Sequence, residues 1–288
     1  MKMMVLNFED KNRINATMNY NLNILVYISY IILLTFLFFS YFDKNASVNR
    51  EHITNLEYKG EIPKEYRKVV VYSCLIGDYD NVTTFKRQKG YDYILFTDQN
   101  IINTNWTVLP IPKEVERLKI SNIKKQRYIK IHPHKFFKNY DLSIYIDANY
   151  IIKGDLDDFL INTLNPIDNI YITHLQFGRG IHHAIEKAIK NKLDRIDILN
   201  ETLKRYDDYK ILKKSGIVNA GLIIRKHHNE DCIKLMNKWW EEIENYSHVD
   251  NFAFNYAGYM TGVRFLYISY QFTLDYFGHN NHLKKIDY

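Results

Sequence analysis

The 288-residue sequence predicts an α/β domain over residues 68–288 behind an N-terminal membrane anchor. Three observations support this prediction. The run from Ile24 to Phe42 is apolar and uncharged for 19 residues, close to the length of about 20 that a helix needs to cross a bilayer. Farther along, short apolar runs rich in β-branched and aromatic residues end in acidic residues, as the strands of an open sheet do. Segments with helical periodicity lie between these runs.

The N-terminal part of the chain divides into three segments by composition. Residues 1–20 are a polar tail, residues 21–42 are the predicted single-pass signal anchor, and residues 43–67 are a polar stem. A cleaved signal peptide is the alternative, but the polar leader is long and no clean small-x-small cleavage site follows the apolar run. Basic residues balance across the run, so the positive-inside rule does not orient it.

Composition narrows the class of protein without deciding it. The formal net charge of +6 is consistent with a basic surface or with a phosphate-binding cleft. Cys74 and Cys232 are the only cysteines, and two cysteines decide neither the compartment nor whether they pair. No P-loop, G-x-S-x-G or H-x-x-x-H signature occurs, which argues against a phosphotransferase or a hydrolase.

The first two predicted strands each end at polar residues. Lys68 to Ile76 is a β-branched run that leads into a loop from Gly77 to Asp80. Tyr91 to Thr97 is the second strand, and Asp98 follows it. Ligands of open α/β sheets bind at the carboxyl ends of the strands, so this loop and Asp98 are predicted to face a ligand.

Residues 117–138 have a helical pattern and are strongly basic. Arg127 and Lys130 are three residues apart, so one helix face can present both cations to an anion just before the next strand. The histidines on either side of Pro133, which ends this helix, are assigned to packing.

The most informative segment is the apolar strand from Ser143 to Ile146, which delivers Asp147 and Asn149 into a turn. A carboxylate and an amide oxygen two residues apart can both face a hard divalent cation such as Mg²⁺ or Mn²⁺. A second D-x-D string starts at Asp155, but it follows a glycine and precedes an apolar run. That context is typical of a helix N-terminus, so we interpret it as a cap.

The second half of the domain continues the alternation of strands and helices. Asp250 follows the turn after the last of these elements and is the candidate catalytic carboxylate, able to orient hydroxyl groups or to act as a base. The preceding elements are a strand from Tyr171 to His174, an amphipathic helix from Ile181 to Ile189, a charged helical stretch at residues 190–214, a strand from Val218 to Ile224, and a helix whose Trp239 and Trp240 are assigned to the core.

Three of these motifs resemble elements of the glycogenin and lipopolysaccharide galactosyltransferase group of GT-A glycosyltransferases. Asp147-Ala148-Asn149, followed by an apolar stretch and Gly154-Asp155-Leu156, resembles their metal motif and helix start. Val218 to Ile224 resembles the N-A-G strand that lines the donor sugar in those enzymes. Asp250-Asn251 stands in the place of their D-Q-x-x-x-N element.

A closer resemblance, from Val69 to the C-terminus, is to a glycosyltransferase-like family of plant mucilage proteins and bacterial capsule loci, long catalogued as a domain of unknown function. Asn149 departs from the aspartate of many GT-A enzymes and gives a metal less charge. The matching segments are VVVYSCLIGDYD at 69–80, YDYILFTDQ at 91–99, RYIKIHPHKFFKNYDLSIYIDANY at 127–150, and shorter matches at 173–174, 186–188 and 221–227.

The resemblance implies a GT-A fold, which is a Rossmann-like mixed sheet in a three-layer α/β/α arrangement. It implies a hexosyltransferase-like enzyme that moves a sugar from a nucleotide-diphosphate sugar, a UDP-sugar in most of the group, to a glycan, protein or lipid acceptor, without a nucleic-acid partner. A catalytically inactive GT-A domain that binds carbohydrate is the alternative. The domain is expected in the ER or Golgi lumen, as in type II membrane proteins, for a eukaryotic or viral chain, and on the cytoplasmic face for a bacterial one.

The resemblance also assigns roles to residues. Asp250 and Asp147 are the catalytic candidates, and Mn²⁺ or Mg²⁺ is expected on Asp147, Asn149 and either His282 or His279. The acceptor side is assigned to His174, Glu186 and Asn251. Contacts to the donor nucleotide and sugar are assigned to Tyr72, Ile76, Gly77, Asp80, Asp98, Arg127, Lys130, Asp147, Ala148, Asn219, Ala220, Gly221 and Lys284.

Overall fold

The computed structural model describes residues 68–77, 80–176, 180–207 and 217–280. Within those ranges no helix is both long enough and apolar enough to cross a membrane. The predicted tail, anchor and stem at residues 1–67 lie outside the described residues, as do His282 and Lys284. The prediction of a membrane anchor therefore stays a prediction.

The described residues form nine strands and nine helices. The strands are β1 (Val69–Leu75), β2 (Tyr91–Thr97), β3 (Thr107–Leu109), β4 (Leu142–Ile146), β5 (Tyr150–Ile152), β6 (Ile170–Gln176), β7 (Ile217–Arg225), β8 (Leu266–Ser269) and β9 (Phe277–His279). The helices are α1 (Lys113–Glu116), α2 (Asn122–Ile131), α3 (Pro133–Phe136), α4 (Leu156–Thr163), α5 (Gly180–Lys190), α6 (Ile196–Asp207), α7 (Glu230–Asn245), α8 (Asp250–Thr261) and α9 (Tyr270–Tyr276).

Seven of these strands form one mixed sheet in the order β3-β2-β1-β4-β7-β6-β8. Strand β7 runs antiparallel to both of its neighbours, β4 and β6, and the other pairings in this sheet are parallel. The remaining two strands, β5 and β9, form a separate antiparallel ribbon. The predicted α/β class and the mixed sheet are confirmed.

Side chains of the sheet alternate between two apolar layers, as the period of a strand requires. In β1, Val70 and Cys74 face a layer that includes residues of α2, α7 and α8. Val71 and Leu75 face the opposite layer, which includes residues of α4 and the β5–β9 ribbon. Both faces of the sheet are thus covered, and the predicted three-layer arrangement is confirmed.

The strand order reverses at β1. From β1 the chain moves outward through β2 and β3, and it then returns to the other side of β1 with β4. In open α/β sheets the crevice at such a reversal, outside the carboxyl ends of the strands, is where ligands bind. Gly77 follows β1 at this edge, and Asp147 follows β4.

Two helical predictions differ from the structure in their bounds. The pattern at residues 117–138 gives α2 and the one-turn α3, because Pro133 lacks an N–H and restricts the residue before it. The charged stretch at residues 190–214 gives α6, and residues 208–216 lie outside the described ranges. The short strands β3, β5, β8 and β9 were not predicted, since runs of three or four residues carry little periodicity.

Helices α5 and α6 form a helical hairpin between β6 and β7. Their apolar faces, including Ile185 and Leu199, form a third apolar cluster with Phe252 and Tyr256 of α8. The hairpin therefore packs on the helix that begins with Asp250.

Candidate functional site

The predicted donor-site cations and carboxylates meet in one cluster at the carboxyl edge of the sheet. The Lys130 Nζ atom lies 2.6 Å from Asp250 Oδ2 and 3.5 Å from Asp147 Oδ1. The Arg127 Nε atom lies 3.1 Å from the same Asp250 oxygen. The cluster is built by the turn after β4, the last turns of α2 and the first residue of α8, so three distant parts of the sequence form it.

The side chains of this cluster differ in how far they are exposed to solvent. The side chain of Lys130 is 2% exposed and that of Asp250 is 7% exposed, whereas that of Asp147 is 30% exposed. Burial alone would raise the pKa of Asp250, but Arg127 and Lys130 outweigh it and hold the pKa below the ordinary carboxyl value. Asp250 is therefore ionised at neutral pH, and Asp147 is the carboxylate that a ligand can reach.

Two tyrosine side chains contact Lys130 on the side of the sheet. The Lys130 ammonium lies 4.8 Å from the centre of the Tyr145 ring, and the Tyr145 hydroxyl donates to Asp147 Oδ1 at 2.9 Å. Tyr72, a predicted donor contact, is fully buried, and its hydroxyl donates to the Lys130 carbonyl at 2.6 Å. The buried Arg225 guanidinium in turn donates to the Tyr72 hydroxyl. Tyr72 therefore lies behind the cluster and supports the helix that carries Lys130.

The loop after β1 is fixed by the end of β2. The Asp98 carboxylate accepts from the Gly77 N–H at 2.9 Å, and Gly77 has a positive φ of 87°, which glycine adopts without strain. The Gln99 side chain donates to the Gly77 carbonyl. Ile76 and Asp80 on either side are buried. Asp98 is exposed and thus holds this loop while its carboxylate stays at the surface.

Asn149 anchors the segment that leads to the C-terminus. Its side-chain Nδ2 donates to the Asn280 carbonyl at 2.8 Å, and the Asn280 N–H donates to the Asn149 carbonyl at 2.9 Å. The neighbouring Ala148 is buried. His279 pairs with Tyr150 in the β5–β9 ribbon, and its Nε2 lies 3.0 Å from the Tyr270 hydroxyl. Asn280 therefore lies beside the turn that carries Asp147.

The N-A-G strand borders the cluster on the other side. The Asp147 N–H donates to the Gly221 carbonyl at 3.0 Å, and the Asn219 Nδ2 donates to the Tyr150 hydroxyl at 3.0 Å. A Cβ atom on Gly221 would lie 2.7 Å from that hydroxyl. Tyr150 thus fills the space above Gly221, so glycine is needed here for packing.

The predicted acceptor-side residues occupy three different settings. Asn251 accepts from the Ala220 N–H at 3.1 Å, which joins the start of α8 to the N-A-G strand. His174 is buried in β6, with its ring 4.6 Å from the Tyr267 ring. Glu186 is exposed on α5. Asn251 directly follows Asp250 in α8, so this hydrogen bond links the start of the helix that carries Asp250 to the N-A-G strand.

Two protein oxygens, one from the Asp147 carboxylate and one from the Asn149 amide, are the candidate ligands for a hard divalent cation at this site. The donation of Asn149 Nδ2 to Asn280 turns the other atom of the amide, Oδ1, away from that carbonyl. Among the described residues no group of three or more His, Cys, Asp or Glu side chains could hold a metal ion. Mg²⁺ is often bound by one or two protein oxygens together with substrate phosphates, so Asp147 and Asn149 are the residues that could hold such a cation.

Two members of the site were missed at the level of sequence. Tyr145 lies two residues before Asp147 on the same strand, and the period of a strand places both on one face. That spacing could have identified it. Gln126, whose side chain donates to the Cys74 carbonyl at 2.9 Å, closes the end of β1 from α2. No local pattern signals this contact, because α2 and β1 lie about fifty residues apart in the chain.

Comparison with known proteins identifies similar structures and no family. No protein-family model and no curated protein matches the sequence. The structures similar to this one include apo WbbM, a bifunctional glycosyltransferase, with 14% identity, a TM-score of 0.45, and coverage of 72% of this chain and 39% of that one. They also include apo mouse xyloside xylosyltransferase 1, with 9% identity, a TM-score of 0.43, and coverage of 70% and 85%. The chain thus spans well under half of WbbM, and the family resemblance seen in the sequence is not confirmed.

Proposed function

We propose that the protein is a membrane-anchored glycosyltransferase that transfers a sugar from a nucleotide-diphosphate sugar, a UDP-sugar, to a hydroxyl of a glycan, protein or lipid. The observation that carries this proposal is the joint position of Asp147, Lys130, Arg127 and Asp250 at the strand-order reversal. A crevice at that point is the general ligand site of open α/β sheets. The sequence motifs that resemble GT-A glycosyltransferases fall at the same edge.

Each side of the crevice supplies a different part of the proposed donor site. At the end of β1, the exposed Asp98 carboxylate that accepts from the Gly77 N–H can also accept from a hydroxyl or a ring N–H of the nucleoside. Arg127, whose side chain is 18% exposed, is the cation of the cluster that a diphosphate can approach. Lys130 is almost fully enclosed, so its charge acts on the diphosphate through the field of the cluster.

In the proposed reaction an acceptor hydroxyl oxygen bonds to the anomeric carbon while the bond from that carbon to the phosphate oxygen breaks. The nucleoside diphosphate leaves with the electron pair, and the hydroxyl proton passes to the departing phosphate or to water. The residues stabilise the charge that develops on the leaving oxygen. Asp250 has a lowered pKa and two cationic partners, so it is a weak base and we assign it to orienting Arg127 and Lys130.

A divalent cation is part of the proposal. Asp147 and Asn149 would hold Mn²⁺ or Mg²⁺, which supplies a positive charge that neutralises the diphosphate. Lys130, 3.5 Å from Asp147, limits the negative charge that Asp147 offers to the cation. We therefore expect metal binding to depend on the nucleotide, because the phosphate oxygens complete the ligand set.

One second function is favoured by a specific observation. Asn149 can offer a metal only a neutral amide oxygen, because its amide nitrogen donates to the Asn280 carbonyl, so the metal site is weaker than one built from two carboxylates. A domain with this site could bind carbohydrate or a nucleotide without catalysis. Hydrolysis of the donor in the absence of an acceptor separates the two functions, because active transferases commonly transfer some sugar to water.

The first experiment is a thermal-shift series on the full chain in mild detergent with UDP-, GDP- and CMP-sugars, each with and without Mn²⁺. A ligand that binds only the folded state stabilises it by mass action, by about 2.7 kcal/mol at one hundred times its dissociation constant. We expect a Mn²⁺-dependent shift with a UDP-sugar. No shift with any nucleotide sugar, from protein with a cooperative unfolding transition, would contradict the proposal.

A further inference from the structure

A buried carboxylate of the helical hairpin is joined to the turn before Asp250. The Asp194 side chain, two residues before α6, accepts from the Ser247 hydroxyl at 2.8 Å and from the His248 N–H at 3.1 Å. The His248 Nδ1 atom lies 2.9 Å from the same Asp194 oxygen. The other Asp194 oxygen accepts from the Arg195 N–H at 2.7 Å. One side chain therefore fixes both the backbone and the side chains of the turn.

The Asp194 carboxylate is held in its charged form. Burial alone would raise its pKa, but the contacts to His248, Ser247 and the Arg195 N–H outweigh burial and lower the pKa to about 2. Ser247 and His248 are themselves buried. The turn is thus anchored by an ionised, enclosed group, which is costly to leave without partners.

The hairpin that carries Asp194 is fixed on the helices at both ends of this turn. Arg205 of α6 donates through two nitrogens to the buried Glu242 carboxylate of α7, at 3.0 and 2.9 Å. Its guanidinium also lies 4.6 Å from the centre of the Tyr246 ring. Together with the apolar contacts to α8, these bonds fix the position of the hairpin, and therefore of Asp194, relative to the turn.

The turn delivers Asp250 to the cluster. Only Val249 separates His248 from Asp250, the first residue of α8, and the Val249 N–H donates to the Ser247 hydroxyl at 3.2 Å. The pKa of Asp250, which burial raises and Arg127 and Lys130 lower more strongly, is also lowered by the nearby His248. A displacement of the turn would therefore move the carboxylate that holds Lys130 and Arg127.

We propose that Asp194 is a positioning residue of the candidate site, which acts through Ser247 and His248 to hold Asp250 against Lys130. Its effect on nucleotide binding rests on the proposed function, whereas its effect on Lys130 does not. Groups that orient the direct ligands of a metal commonly change affinity or activity by about 10- to 100-fold when removed, and we expect the lower end for Asp194, because it acts through Asp250 and Lys130.

The first test measures the enclosure of Lys130 directly. The full chain is treated briefly with acetic anhydride, and acetylation of Lys130 is followed by mass spectrometry in the wild type and in Asp194→Asn. In the wild type Lys130 is 2% exposed and ion-paired, so it reacts slowly. We expect the rate to rise about tenfold or more in the variant, because a turn that opens more often exposes the amine.

A matched control separates positioning from a general loss of stability. Asp168 is another buried carboxylate, paired with Arg264 Nε at 2.6 Å near the opposite edge of the sheet. Asp168→Asn should destabilise the protein to a similar extent and leave the acetylation rate of Lys130 unchanged. A pair of substitutions at His248 gives a second control. His248→Asn keeps a side-chain N–H close to the position of Nδ1, so Lys130 should be acetylated as slowly as in the wild type. His248→Leu lacks this N–H, so acetylation of Lys130 should be faster.

The second test measures the dissociation constant of UDP with Mn²⁺ by calorimetry for the same proteins. We expect about tenfold weaker binding in Asp194→Asn and unchanged binding in Asp168→Asn. Equal rates of Lys130 acetylation in the wild type and in Asp194→Asn would overturn the positioning role. If the wild type binds UDP, an equal dissociation constant in Asp194→Asn would also overturn it. Failure of the wild type to bind UDP, with the acetylation contrast intact, would overturn the proposed function and leave the positioning of Lys130 supported.

Discussion

Removal of the Lys130 ammonium tests whether the charge cluster holds the carboxyl edge of the sheet together. Lys130→Met keeps the unbranched side chain as far as Cε, removes the ammonium group, and leaves Asp250 with Arg127 as its cationic partner in the cluster. Loss of one partner from a buried ion pair costs about 3–5 kcal/mol. Since Arg127 Nε remains 3.1 Å from Asp250 Oδ2, we expect the lower end, about 3 kcal/mol.

The unfolding free energy lost in Lys130→Met should be larger at pH 7 than at pH 4.5. In the wild type the pKa of Asp250 is lowered by its partners, so its stabilising contribution is present above the ordinary carboxyl pKa of 3.8 and is lost as pH falls below it. In Lys130→Met, burial acts with less opposition and raises the pKa of Asp250. The variant then takes up a proton at a higher pH, so the difference in unfolding free energy should narrow between pH 7 and pH 4.5.

The assay is urea unfolding of the full chain at both pH values, with thermal unfolding as a check. For a domain of this size, about 3 kcal/mol corresponds to a fall in Tm of roughly 6–12 °C. Lys125→Met is the matched control, because Lys125 lies on the same helix and its amine donates to the Glu116 carbonyl of α1 at 2.9 Å. A loss in Lys130→Met within 1 kcal/mol of this control, and independent of pH, would refute the reasoning.

Three further predictions address the metal site, the glycine of β7 and a buried histidine. Asp147→Asn should abolish the Mn²⁺-dependent thermal shift with a UDP-sugar. Asp155→Asn is the control and should retain the shift, because asparagine also caps a helix. Loss of the shift in both variants would count against the metal site. Gly221→Ala should lower the unfolding free energy, measured with urea, by about 1–3 kcal/mol, because the new Cβ would lie 2.7 Å from the Tyr150 hydroxyl. An unchanged unfolding free energy would show that Tyr150 moves aside freely and that glycine is not required at this position. The pKa of His132 is lowered from 6.5 to about 3, chiefly by burial, so the unfolded chain binds the proton first and stability falls as pH drops. Between pH 6.5 and pH 5 this group should lower the unfolding free energy by about 2 kcal/mol, so the fall measured by urea unfolding should be smaller by that amount in His132→Phe than in the wild type. An equal fall in the two proteins would refute the assignment.

The order of strands and helices could largely be predicted from the sequence, because each signal is local. β1, β2, β4, β6 and β7 were all predicted, since buried strands are short apolar runs and a run is visible without its partners. The cap at Asp155 was also predicted, and its carboxylate accepts from the Asp158 N–H at 2.9 Å as a helix cap does.

The pairing of strands could not be predicted in the same way. β5 and β9 are three-residue strands, and they pair across more than a hundred residues of chain. Nothing within either segment requires the other. Their pairing depends on the packing of α4 and α9 beneath them, which is a property of the assembled layers.

For the site, the sequence by itself determined which chemical groups are present: a D-x-N turn after a strand, two cations on one helix face, and Asp250 after a later turn. Only the tertiary structure decided that Arg127 and Lys130 both pair with Asp250, that Tyr72 lies behind the cluster, and that Asp194 holds the turn from the helical hairpin. The reason is physical. Residue type and spacing fix the charge and the local direction of a side chain, whereas burial and partners depend on segments that meet only when the chain folds.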